Sequence, residues 1–133
     1  MDKAFQFIKE HKDVAFATVE GDKPEIRVFQ IMKIENHTLY FATAPHKKVN
    51  AQLQTNPNVE ILGMSGNISV RISGKAVFDV PDEICQEIYA DNPVLPRLYK
   101  RYTDLVYFRV SVAELDWFDL TPTPPEQIHI SYG

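Results

Sequence analysis

Hydrophobic and polar positions along the chain follow two periods, and the change between them marks out the elements. From Ile68 to Phe78 the alternation is strict. Ile68, Val70, Ile72, Gly74, Ala76 and Phe78 fall on one side, and Ser69, Arg71, Ser73 and Lys75 on the other. Period two predicts a long strand with one buried face. At the N-terminus the spacing is helical instead: Ala4, Phe5, Phe7 and Ile8 cluster, with Lys9, Glu10 and Lys12 around them. This predicts an opening helix that covers one end of a sheet. Val14 to Val19 is a short apolar strand, and Gly21-Asp22-Lys23-Pro24 is a turn. A long strand runs from Ile26 to Ile34, turns at Glu35-Asn36-His37 and returns as Thr38 to Thr43, a hairpin.

Prolines punctuate the rest. Pro45 predicts the first turn of a helix, with Val49 and Leu53 one turn apart and an end near Asn56-Pro57. Val59 to Leu62 is a strand and Gly63 to Asn67 a loop. Pro81 with Asp82 and Glu83 opens another helix, the acidic pair suiting its positive end. Pro93 and Pro96 interrupt it, and Leu95, Leu98, Tyr99 and Tyr102 form a second helical stripe. Val106 to Val112 is a long strand with an extension toward Phe118, and Gln127 to Ile130 is a short edge strand beyond the proline-rich run Thr121 to Pro125. The expected fold class is mainly β (α+β), with six antiparallel strands and flanking helices. Strands of this length close into a small barrel or lie as an open antiparallel sheet. Gly74, inside the cleanest strand, marks a barrel bend or a close approach of neighbouring backbone.

The chain of 133 residues is the size of one domain, read as 1–133 without repeat or internal boundary. Its 44% hydrophobic and 24% charged residues suit a globular protein. The net charge of −4 argues against generic nucleic-acid binding, which needs a basic surplus. No apolar run reaches the roughly 20 residues of a membrane span. Residues Met1 to Lys12 lack the pattern of a signal peptide, so the expected location is cytoplasmic. The single cysteine, Cys85, excludes an intrachain disulfide and is expected to be a buried thiol on a helix face.

Chemistry concentrates between Arg27 and Pro57. Arg27 shares a strand face with Phe29, Ile31 and Lys33, while Val28, Gln30 and Met32 occupy the other. The following strand ends in Phe41-Ala42-Thr43, and Pro45-His46-Lys47-Lys48 begins a helix at once. A helix start offers unpaired N–H groups and a positive dipole end, which favour a phosphate. Arg27, Thr43, Lys47 and Lys48 add cations and a hydroxyl, and arginine grips phosphate through paired hydrogen bonds. The plain alternative is a set of solvated surface side chains. His11, His37, His46 and His129 have no metal-ligand spacing, so no metal site is expected. Arg97, Lys100 and Arg101 are read as one basic helix face.

Arg27-Val28-Phe29, Leu39-Tyr40-Phe41-Ala42-Thr43, Lys47 with Gln52-Leu53 and Asn56-Pro57, and Arg71-Ile72-Ser73-Gly74-Lys75-Ala76 together form a pattern. In order and spacing it resembles the pyridoxamine 5′-phosphate oxidase-like superfamily, near the short bacterial branch grouped with Nim-type nitroimidazole reductases. The resemblance runs from the first helix to about Phe118. It implies an FMN-binding split barrel that works as a homodimer, with FMN at the subunit interface. Arg27 and Lys47 would hold the phosphate with help from Thr43, and Lys48 is a near-equivalent of Lys47. Val28, Phe29 and Gln30 would line the isoalloxazine ring, and Ala42 lies beside Thr43. Gln52, Ser69 and Trp117 are further flavin contacts, the last two reaching from the partner subunit; hydrophobic packing is the alternative for Trp117. The implied function is an FMN-dependent oxidoreductase passing hydride or electrons from NADH or NADPH to a small acceptor, with no side chain assigned as catalytic. The rival is a non-catalytic carrier of flavin, or of another phosphorylated or tetrapyrrole ligand. Departing from the family, the run Thr121-Pro122-Thr123-Pro124-Pro125-Glu126 lacks the C-terminal arginine and histidine that grip pyridoxamine phosphate.

Overall fold

A computed structural model describes all 133 residues. Helix α1 (Asp2–Glu10) leads into β1 (Asp13–Glu20), β2 (Lys23–Gln30), β3 (Lys33–Glu35) and β4 (Thr38–Thr43). Helix α2 (Lys48–Thr55) follows, then β5 (Asn58–Ser65) and β6 (Ile68–Val77). Helices α3 (Asp82–Asp91) and α4 (Val94–Leu98) and a 3₁₀ turn (Tyr102–Asp104) precede β7 (Val106–Ser111), β8 (Glu114–Asp119) and β9 (Glu126–Ser131). All pairings are antiparallel. The sheet runs β2-β1-β5-β6-β7-β4-β3, with β8 on β6 and β9 on β8, and curls as a split barrel. No helix is long and apolar enough to cross a membrane.

Nine strands stand where the periodicity predicts six, chiefly because two expected long strands each change partners partway. In the first, the Ile31 N–H still donates to the Lys12 carbonyl, while the next amide, Met32, donates to Tyr40. Successive amides of an extended chain point to opposite sides, so one residue step moves the chain from β1's half of the barrel to β4's. In the second, the Val112 amide donates to His37 and the Ala113 amide to Ser73. The inward row slips by one residue at each break, from Phe29 and Ile31 to Ile34 and from Phe108, Val110 and Val112 to Leu115 and Trp117, a change of phase that a single unbroken strand does not make. The tail also forms a full strand, β9, paired with β8 along its length.

Between the two halves, β6 divides its second edge. Ile68 to Ser73 pair with β8, and Ala76 and Val77 pair with β7. Gly74 lies at the changeover. A Cβ there would stand 2.6 Å from the Ser111 carbonyl oxygen and 2.7 Å from Val110 Cγ1, so the expected close approach is present.

The barrel interior is filled by aromatics. Phe16, Phe41 and Phe108 are fully buried, Phe29 and Phe78 pack on them, and Phe41 stacks on Phe108 at 5.3 Å between centroids. Strand β4 is apolar on both faces because it separates two cores. Leu39 and Phe41 face the barrel, while Tyr40 and Ala42 join Cys85, Ile88, Leu95, Leu105 and Tyr107 beneath α3 and α4. Burial raises the Cys85 thiol above its ordinary value, and its Sγ donates to the Val80 carbonyl.

Gly74→Ala should lower stability by about 1–3 kcal/mol, the range for forcing extra volume into a packed site. A lower urea midpoint at unchanged slope is the expected result. An unchanged midpoint would show that β6 and β7 can part there without cost.

Candidate functional site

Three polar residues of the chain are buried: Thr18, Thr43 and Gln52. Thr18 and Gln52 meet over the Glu25–Arg27 stretch of β2, and Thr43, the last residue of β4, lies beside Phe29 and Gln30 at that strand's far end. Burying such groups costs free energy unless each is hydrogen-bonded. For Thr18 and Gln52 the partner is Arg27.

Arg27 projects from the face of β2 that carries Phe29, as the alternation predicts, and sits opposite Phe16 on β1. Its Nη1 donates to the Phe16 carbonyl at 3.2 Å and to Thr18 Oγ1 at 2.7 Å. Its Nη2 donates to Gln52 Oε1 at 2.9 Å. Thr18 Oγ1 also donates to Gln52 Oε1 at 2.6 Å. Gln52 Nε2 then donates to Glu25 Oε1 at 3.0 Å, and Lys48 Nζ donates to Glu25 Oε2 at 3.1 Å. Lys48 is also 3.3 Å from Glu20, and Arg27 Nη2 is 4.0 Å from Glu25. Hydrogen bonds from Gln52 and Lys48 hold the Glu25 carboxyl below its ordinary value. Burial works against the Arg27 charge and the neighbouring Glu25 works for it.

The four phosphate-seeking groups therefore fall into two sets around one helix start. The helix itself begins at Lys48, with Lys47 as its extended N-cap, three residues later than Pro45 suggests. The reason lies in the backbone: the Lys47 amide closes a turn on the Ala44 carbonyl before the helix begins. Consecutive residues at this corner diverge. Lys48 joins Arg27, Glu25 and Glu20, whereas Lys47 lines a cavity of about 350 Å³ with Phe29, Gln30, Ala42 and Thr43. The opposite wall of that cavity is apolar, from Val94, Leu95, Leu98 and Tyr99.

The other sequence candidates lie apart within one chain. Val28 points outward from the opposite face of β2 to Arg27. Ser69 is on the outer side of β6, between Met64 and Phe118. Trp117 is buried in the barrel core edge-on to Phe7, with Lys3 Nζ 4.9 Å from its ring centroid and its Nε1 donating to Glu126 at 2.8 Å. The basic trio does not share a helix: α4 ends at Leu98, leaving Lys100 and Arg101 beyond it, with Arg101 paired to Asp104. Proline at 93 and 96 limits α4 to a single short segment.

Two members of the network, Thr18 and Glu25, escape the sequence reading. A signal for Thr18 exists: it is the polar member of the inward series Val14, Phe16, Thr18. Glu25 stands on Arg27's own face, two residues away.

Thr18→Val keeps shape and removes the hydroxyl that Arg27 and Gln52 share. It should cost about 1–3 kcal/mol in denaturant unfolding, the range for a buried group left unpaired; Thr18→Ser should cost less. Trp117, the only tryptophan, reports on Glu126. Hydrogen bonds from Lys3 and Trp117 depress the Glu126 carboxyl below its ordinary 4.5, so its contribution is complete above that pH and lost as pH falls through the lower folded value. Tryptophan emission should shift in that acid range, and Glu126→Gln should abolish the shift.

Residues 1–120 match the family described as pyridoxamine 5′-phosphate oxidase. No curated protein matches the chain. Among solved structures, a NimC/NimA family protein from Clostridium acetobutylicum is 26% identical, with TM-score 0.76, covering 98% of this chain and 92% of the other. General stress protein 26 from Bacillus anthracis str. Sterne is 20% identical, with TM-score 0.79 and 97% coverage of each chain. A heme binding protein from Mycobacterium smegmatis has TM-score 0.74 at 14% identity, covering 96% of this chain and 56% of that one. With its antiparallel split barrel and a family match over residues 1–120, the chain belongs to the pyridoxamine 5′-phosphate oxidase family.

Proposed function

We propose that this protein binds FMN as a homodimer and acts as an oxidoreductase, passing hydride or electrons from NADH or NADPH to a small planar or nitroaromatic acceptor. One observation carries the reading. An apolar cavity opens beside Thr43 and Lys47, and the Arg27–Lys48 cation pair flanks the same helix start. The donor set fits a mononucleotide: cations and a hydroxyl for its anionic end, aromatic and aliphatic walls for its ring. FMN, when bound, supplies the two-electron redox chemistry. Phe29, Gln30 and Ala42 orient the ring, while Val94, Leu98 and Tyr99 exclude water from it. Family membership supports a flavin. The 26% identical NimC/NimA family structure shares the fold over 98% of this chain.

A second copy completes the site. Ligand sites run from about 300 to 1,000 Å³, so a cavity of about 350 Å³ is small for a whole flavin nucleotide. The outer face of β2, β1 and β5 carries Ile26, Val28 and Met64 at 70%, 71% and 70% exposure, with Leu62 in the same cross-strand row as Val28. An uncovered apolar sheet face of this kind marks an interaction surface. Ser69 lies on that outer face too, where it is available to a neighbouring subunit. Oxidation of pyridoxamine phosphate is not proposed, because Thr121 to Glu126 holds no basic residue.

The purified protein should be yellow and should bleach under NADH or NADPH without air. Bound FMN that no nicotinamide bleaches favours the carrier reading, and a colourless protein that leaves FMN fluorescence unquenched removes both. Arg27→Ala and Lys47→Ala should each weaken FMN by about 1.5–3 kcal/mol, the scale of a charged hydrogen bond. Ile26→Asp should yield a monomer by light scattering and lose FMN with it.

A further inference from the structure

The Arg27–Lys48 pair does not wait open for an anion, because the chain supplies one. Glu25 accepts from Lys48 at 3.1 Å and from Gln52 at 3.0 Å, and its carboxylate stands 4.0 Å from Arg27. Glu20 approaches Lys48 at 3.3 Å from the neighbouring strand. Two cations thus face two carboxylates, and the cluster is electrically balanced. Arg27 is further committed to Phe16, Thr18 and Gln52. Both Arg27 and Glu25 keep partial solvent access, with side chains 25% and 29% exposed, so the cluster is reachable from outside.

We propose that Glu25 is an internal counter-anion, which a ligand's phosphate must displace from Lys48 and Arg27, and that it thereby sets the site's discrimination between phosphorylated and unphosphorylated forms of one ligand. The inference rests on the reading that these cations seat a phosphate. Lys48 already holds two carboxylates at contact distance, Glu25 and Glu20, so an arriving phosphate would be a third anion on one ammonium and is repelled by both, most by the less exposed Glu25. Glu25 therefore weakens phosphate binding by its charge while keeping the empty site ordered through Gln52. Glu25→Gln keeps the size and one acceptor oxygen, enough for Gln52 Nε2, and removes the charge together with the second oxygen that accepts from Lys48. Glu20 bonds Lys48 but lies outside the Arg27–Gln52 network, which makes Glu20→Gln the matched control.

FMN and riboflavin differ by the phosphate alone, and quenching of their fluorescence measures both affinities. Glu25→Gln should tighten FMN by about tenfold, a change corresponding to loss of one nearby like charge, and leave riboflavin unchanged. Glu20→Gln should change the ratio of the two affinities less. An unchanged FMN-to-riboflavin ratio in Glu25→Gln overturns the proposal and leaves the phosphate to Lys47 and Thr43. If neither flavin binds any form, inorganic phosphate decides. A larger thermal upshift for Glu25→Gln than for the natural sequence keeps the counter-anion and removes the flavin reading, and equal shifts remove both.

Discussion

Two pairs of consecutive amides turn a flat antiparallel sheet into this barrel. Ile31 and Met32 donate to opposite sides, to Lys12 and to Tyr40, and Val112 and Ala113 do the same with His37 and Ser73. Each step satisfies both halves of the fold without a loop, so no buried amide is left unpaired at the seam. Everything at the candidate site inherits its position from the first of these steps. The end of β2, where Phe29 and Gln30 lie, is held to β1 by its ladder and to β4 by the next amide. Thr43 is thereby brought beside Phe29 and Gln30, and α2 presents Gln52 to Arg27.

The sequence made much of this visible, and the limits are physical. Period-two alternation located β6 and the close backbone approach at Gly74, because a glycine in an otherwise unbroken apolar row has no packing reason to be there. It placed Arg27 and Phe29 on one face, because β2 remains regular through Gln30. The partner exchange at Ile31 leaves only a one-residue slip in the inward row, from Phe29 and Ile31 to Ile34, a signal too short to divide one apolar run into two strands. For the same reason the expected six strands became nine.

At the site, residue types were legible and their grouping was not. Lys47 and Lys48 are adjacent in sequence, yet one is the N-cap on the cavity side and the other is the first helical residue on the Arg27 side. A one-residue difference in helix start decides which lysine meets which partner. Thr18 and Glu25 went unnoticed because their roles depend on pairing between strands rather than on a local motif. Trp117 illustrates the opposite case: its position at a strand end suited either a ligand or the core, and within the single chain it packs on Phe7.

One further contact bears on how this fold diversifies. The Asn92 side chain, just past the end of α3, donates to the Ile88 carbonyl at 2.8 Å and to the Met32 carbonyl at 3.0 Å. It rivets the helical layer to the point where β2 becomes β3, while Met32 itself lines the cavity. The span between the strand wall and the α4 wall is therefore governed by a hinge pin outside the pocket. Drift in the α3 cap can widen or narrow that cavity while every lining residue stays the same.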